Sequence, residues 1–183
     1  MATAEKPITL RDYFDRPDID EPTELVRGVI VPLNRPSPRH GDICARLCIE
    51  LGIYLQRHDL GRVITNDSGV ITERHPDTLR GPDVAYYSYQ RMPKGPAPQD
   101  PNPSPPELVF EVRSPHDRWP GLLRKVAEYL GAGVEVVCVV DPASRSLRVF
   151  SADDPGTMVE EDEELTFPGL LDGFSLKVRQ LFD

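Results

Sequence analysis

The sequence predicts a mixed α/β domain in which a central mixed sheet is flanked by helices, and three observations carry that prediction. Residues 39–57 place apolar side chains at helical spacing (Ile43, Leu47, Leu51, Tyr54, Leu55), the mark of an amphipathic helix with one buried face. Val134 to Val140 is a near-continuous β-branched run, as expected of a strand covered on both faces. Between this run and the apolar stretch Glu107–Arg113 lies a second helical pattern. Strand, helix and buried strand in succession predict a right-handed crossover joining parallel strands.

Taken in order, residues 1–23 are polar, with a short helical piece around Leu10 to Phe14 and acidic turns after it. Glu24 to Leu33 is rich in Val and Ile with Gly28 at its middle, and reads as a hairpin or bent strand pair. Pro32, Pro36 and Pro38 break the chain before the long helix. Gly61 to Thr72 alternates as a strand interrupted by a turn or bulge at Asp67-Ser68-Gly69. The turn Arg80-Gly81-Pro82 leads into a strand, Val84-Ala85-Tyr86-Tyr87. Seven prolines between 93 and 106 define a loop, 91–106, of the length expected for a lid, a partner contact or a mobile segment.

In Glu107–Arg113 the side chains alternate, so Glu107, Val109, Glu111 and Arg113 share one face and Leu108, Phe110 and Val112 the other. Pro120 suits a first helical position. Leu122, Leu123, Val126, Ala127 and Leu130 form the expected buried stripe, with Lys125 and Tyr129 at its margin and Gly131/Gly133 closing the helix. Leu147 to Phe150 reads as an antiparallel addition, the acidic run Glu160–Glu164 as a solvated loop or edge, and Phe167–Phe182 as a packed closing segment. No internal repeat breaks this into smaller units, and 183 residues are expected to form one domain, 1–183.

The three cysteines have no paired spacing, which argues against a disulfide framework and for a reducing compartment. The N-terminus lacks an apolar leader pattern and no run reaches membrane-spanning length, so a cytoplasmic protein without membrane contact is expected. The net charge of −9 opposes tight non-specific DNA binding. The acidity is concentrated at the ends, however: residues 35–148 carry 15 basic and 14 acidic side chains, which permits a nucleic-acid substrate.

Chemistry concentrates at Asp83 and Glu111, 28 residues apart. A carboxylate in a run as apolar as Leu108–Val112 is costly unless paired or coordinated. A second carboxylate on a neighbouring strand adds repulsion that a divalent cation would relieve. Alone, Asp83 reads first as a turn or strand-entry aspartate, and Glu111 as the salt-bridge partner of Arg113 or of another basic group. His40, Cys44 and Cys48 stand at i, i+4, i+8 and invite a zinc reading. Eight residues rise about 12 Å along a helix, whereas ligands of one zinc ion lie within roughly 4 Å of each other. All three cannot share an ion, so the cysteines read as small core residues, and His40 as either a helix-end core residue or a site-lining one.

Pro82-Asp83 followed by Glu111-Val112-Arg113 at the end of an apolar strand resembles the PD-(D/E)XK nuclease signature. The wider set is Glu24-Leu25-Val26-Arg27-Gly28-Val29-Ile30, His40 opening a helix, Pro82-Asp83-Val84, Glu111-Val112-Arg113-Ser114-Pro115, Lys125 with Tyr129, Gly133-Val134 and Val139-Val140-Asp141-Pro142. That ordered set, running from about Glu24 to Phe182, resembles the Uma-type family of restriction endonucleases. The resemblance implies a restriction-endonuclease-like fold and a metal-dependent endonuclease acting on DNA, with a homodimer left open. It implies Mg²⁺ or Mn²⁺ held by Asp83, Glu111 and the Val112 carbonyl, with His40 lining the site and Glu24 as an additional acidic group. Where the signature has lysine this chain has Arg113, whose guanidinium is a poor general base; the resemblance assigns the lysine role to Lys125. The acidic balance and Arg113 also suit an alternative, a binding or regulatory module that keeps the nuclease fold without catalysis. A third alternative is a protein-interaction role for the proline-rich loop.

Overall fold

The computed structural model describes residues 6–16 and 21–183; residues 17–20, within the acidic turns expected after the first helix, lie outside them. Helix α1 (Leu10–Phe14) starts at a capping box in which Thr9 and Asp12 satisfy each other's backbone amides. Strands β1 (Thr23–Val26) and β2 (Val29–Pro32) form the expected hairpin. Its two-residue turn, Arg27-Gly28, has both residues at positive φ, the turn whose twist matches a strand pair. Helix α2 (Pro38–His58) begins one residue earlier than the apolar spacing suggests. Pro38 does not break the chain there: it occupies the first helical turn behind the Ser37 cap, where its missing N–H costs nothing.

Strands β3 (Gly61–Thr65) and β4 (Val70–Glu73) were one interrupted strand in the sequence reading, but they enter different sheets. Asn66 and Asp67, both at positive φ, turn the chain sharply between them. Strand β5 (Thr78–Arg80), of which the sequence signals only Arg80 as the start of a turn, joins β4 to β1. Strands β6 (Val84–Ser88) and β7 (Leu108–Val112), helix α3 (Trp119–Gly131) and strand β8 (Val136–Asp141) follow, then β9 (Ser146–Ser151) and β10 (Thr157–Val159). A final hairpin of β11 (Glu164–Phe167) and β12 (Leu171–Lys177) runs into a 3-10 turn at Val178–Leu181.

The main sheet has the order β10-β9-β8-β7-β6-β3, and among the described residues only its β7–β8 pair is parallel, joined through α3 as the crossover reading requires. A smaller sheet runs β2-β1-β5-β4. The alternation along β7 decides the layers. Leu108, Phe110 and Val112 pack with α2 and the C-terminal hairpin, around Leu47, Leu51, Phe167 and Phe174. Val109 packs on the other face with Leu122, Val126 and Tyr129 of α3 and Val70 of β4. The buried stripe of α3 is Leu122, Val126 and Tyr129, with Leu130 partly buried against the same core; Leu123 and Ala127 face solvent, and Tyr129 belongs to the stripe and not to its margin.

The proline-rich loop is held down. The Arg91 guanidinium donates to the carbonyls of Pro105, Pro106 and Gly133, and Arg62 donates to those of Pro93 and Gly95. Glu107, buried at the start of β7, accepts from the Ser88 amide and pairs with Arg91. Among the described residues no helix is long and apolar enough to cross a membrane.

Candidate active site

The site forms where the C-terminal end of β7 meets the start of β6. Val84 pairs with Phe110, so Asp83 lies one step past the last antiparallel pair, beside Glu111. The Asp83 carboxylate accepts the Val112 amide at 2.6 Å through Oδ2. Its Oδ1 meets His40 Nε2 at 3.2 Å from the first turn of α2. Thr65 fixes the backbone by donating to the Asp83 carbonyl at 2.7 Å.

Glu111 points toward α3. Tyr129 donates its hydroxyl to Oε1 at 2.7 Å and the Lys125 ammonium lies 3.4 Å from Oε2. Spacing i, i+4 on α3 puts these two side chains on one face, one turn apart. Lys125 also reaches Glu24 Oε1 at 3.0 Å, and Glu24 is buried on β1. Arg80 of β5 donates to Glu24 Oε2 at 2.7 Å and grips Glu128 of α3 with two bonds of 2.6 and 2.9 Å. The Gly81 amide completes the Glu24 cradle at 3.2 Å. A Cβ on Gly81 would lie 2.8 Å from the Asp67 carbonyl oxygen, so only glycine lets these two backbones approach.

Electrostatics tie the groups into one cluster. Burial, above all, pushes Glu111 up to about 7; Asp83 and Glu24 add to the rise and Lys125 opposes it. Burial would also raise Glu24, but Lys125 and Arg80 outweigh it and hold that carboxyl below its ordinary value. Burial would depress Lys125, yet Glu111 and Glu24 prevail and keep the ammonium charged. Asp67, on the turn after β3, is raised by burial and then by Asp83, which makes it a fourth acidic member. The hydrogen bond to Asp83, followed by the contact with Cys44, pushes His40 up to about 10.

This last shift makes a direct prediction. A folded-state value above the unfolded one means that His40 contributes stability fully below about 6.5, lost as pH rises toward about 10. Imidazole NMR titration should find one ring with a strongly alkaline midpoint. In Asp83→Asn that midpoint should fall toward the ordinary histidine range, and the alkaline loss of stability should shrink.

Of the residues singled out in the sequence, Lys125 joins Glu111 to Glu24, and His40 meets Asp83, whose carboxylate also accepts the Val112 amide. Arg113 turns away: it pairs with Asp141 at 2.7 Å and lies over the Trp119 ring. Arg80, Glu128 and Asp67 carry no site motif in the sequence, and Cys44 reads there as a small core residue. Arg80 had only a faint signal, a basic residue three positions before Asp83.

A mixed sheet with its one parallel pair bridged by a helix, and an acidic cluster with a lysine at that sheet's end, define a restriction-endonuclease-like domain. The chain belongs to the Uma2 family, described as "Putative restriction endonuclease", whose model matches residues 10–179. No curated protein matches it. Among solved structures it is similar to a "putative nuclease belonging to DUF820" from Anabaena variabilis ATCC 29413, with a TM-score of 0.84 and 18% identity over 96% of this chain and 98% of that one. At that identity the likeness establishes the fold.

Proposed function

We propose that this chain is a divalent-metal-dependent endonuclease that hydrolyses phosphodiester bonds in DNA. The observation that carries the reading is the Glu111 carboxyl, buried in the central strand opposite Asp83 and reached by Lys125 and Tyr129. Lys125 and Tyr129 offset part of the cost of burying it, and a hard cation would relieve the rest. The donor set fits Mg²⁺ or Mn²⁺, since Asp83 and Glu111 offer carboxylate oxygens and Val112 a carbonyl on the same strand end. When bound, such an ion polarises the scissile phosphate and acidifies an attacking water.

The chain's own residues do the rest. Lys125, fixed by Glu24 and Glu111, presents an ammonium where negative charge builds on the phosphate. Tyr129 and His40 orient the two carboxylates. A cavity of about 370 Å³ opens beside His40, lined by Ser37, Arg39, Arg113 and Ser114 among others. Its two hydroxyls and the Arg39 guanidinium suit a phosphate backbone, while Arg113 is held by Asp141 on the same wall.

Calorimetry with Mn²⁺ and a plasmid-nicking assay test the proposal together. The parent protein should bind the ion and nick DNA only in its presence. Asp83→Asn should lose both. A folded protein that binds no divalent ion and leaves DNA intact would instead favour the non-catalytic binding module.

A further inference from the structure

A second metal chemistry is written into the first two turns of α2. Among the described residues, His40, Cys44 and Asp83 each offer one ligand atom within 4.8 Å of the others. His40 and Cys44 are i, i+4 neighbours on one helix face, with Nδ1 and Sγ 3.6 Å apart. On a tetrahedral zinc ion, bond lengths near 2.0 and 2.3 Å set a nitrogen–sulfur spacing of about 3.5 Å. Asp83, entering from the start of β6, stands 3.2 Å from the other ring nitrogen. The third partner that the helix alone could not supply, because Cys48 lies a further turn away, thus comes from the sheet.

We propose that His40, Cys44 and Asp83 form a binding site for a thiophilic divalent ion, Zn²⁺ or Co²⁺, which overlaps the oxygen site proposed for Mg²⁺ or Mn²⁺ at Asp83 and differs from it in its nitrogen and sulfur donors. His40 faces Cys44 with Nδ1 and Asp83 with Nε2, so for one nitrogen to serve both the ring has to turn and the spacing of up to 4.8 Å close by about 1.3 Å to that of a zinc ligand set. Thiolate and imidazole are soft and borderline donors that Mg²⁺ does not favour. The ion replaces the thiol proton of Cys44 and the proton on the ligating His40 nitrogen, both released to solvent. His40 also lines the cavity of about 370 Å³, so a fourth position can be filled by water, as in open three-ligand sites. The two sites share Asp83. An ion held by Cys44 therefore engages the carboxylate that the Val112 amide also holds, and couples soft-metal supply to the nuclease centre proposed above.

The test is spectroscopic and needs no cleavage. Co²⁺ added to the reduced full-length protein should give a near-ultraviolet thiolate-to-cobalt band that saturates at one equivalent, with Zn²⁺ displacing it. Cys44→Ser should lose the band and bind Zn²⁺ at least ~10-fold more weakly, the loss typical when a site gives up a ligand or its support. Cys48→Ser should keep both, and circular dichroism should show both variants folded. No band in the parent, a band that persists in Cys44→Ser, or one lost in Cys48→Ser would each overturn the proposal. Nicking activity in a protein without the band leaves the nuclease reading standing and rejects only this one.

Discussion

Replacing Lys125 by alanine should lower metal-dependent DNA cleavage by roughly 10²–10³, the loss seen when one preorganised stabiliser of transition-state charge is removed. Ion binding should respond differently. Lys125 lies 3.4 Å from Glu111 and 3.0 Å from Glu24, so it competes with a metal for the same carboxylate charge. Its ammonium also restrains the rise in Glu111, which burial has pushed up to about 7. Without it Glu111 protonates more readily, and the pH midpoint for Mn²⁺ binding should move upward. Above that midpoint, affinity should equal or exceed that of the parent. Lys125→Arg should not restore cleavage, because a planar guanidinium replaces a compact point charge. Arg113→Ala should do less damage to cleavage, since Arg113 is engaged with Asp141 and the Asp117 carbonyl. Calorimetry across pH with cleavage rates at saturating metal separates these effects; parent-level cleavage in Lys125→Ala would reject the assignment.

What could be read from the residues alone follows from how local each signal is. The strand Leu108–Val112 and the helix over 39–57 declare themselves through periodicities of two and 3.6, because each buries one or both faces against the same core. The crossover through α3 follows from their order. Strand β5 escaped because three residues carry no period, and Arg80 owes its burial to Glu24 and Glu128, 56 and 48 residues away. Glu111 illustrates the same limit at the site. Sequence proximity offered Arg113 as its partner, but the chain beyond Val112 carries that guanidinium to Asp141 at the end of β8. Lys125 and Tyr129, one turn apart on the crossover helix, take the place instead. Leu123 was assigned to the buried stripe on hydrophobicity. Tyr129 holds the buried position because its ring fills the core while its hydroxyl reaches a carboxylate.

Removing Arg80 should destabilise the fold by about 3–5 kcal/mol, the cost of breaking a buried ion pair and leaving its partner uncompensated. Arg80 and Glu24 are both buried, and the guanidinium also clamps Glu128, so one side chain ties β5 to β1 and to α3. Arg80→Ala leaves Glu24 with Lys125 as its remaining cation, drawing that ammonium from Glu111. The charge origin of the loss can be checked through pH. In the parent Glu24 lies below its ordinary 4.5, so it contributes stability above that pH and loses it as pH falls through the folded value. In Arg80→Ala much of that contribution is already gone. Denaturant unfolding should therefore show a wide gap between parent and variant at neutral pH that narrows on acidification. Glu24→Gln in the Arg80→Ala background should recover part of the loss, because an amide tolerates burial without a counter-charge better than a carboxylate does. A gap independent of pH, unrelieved by Glu24→Gln, would assign the loss to packing of the Arg80 stem and not to its charge.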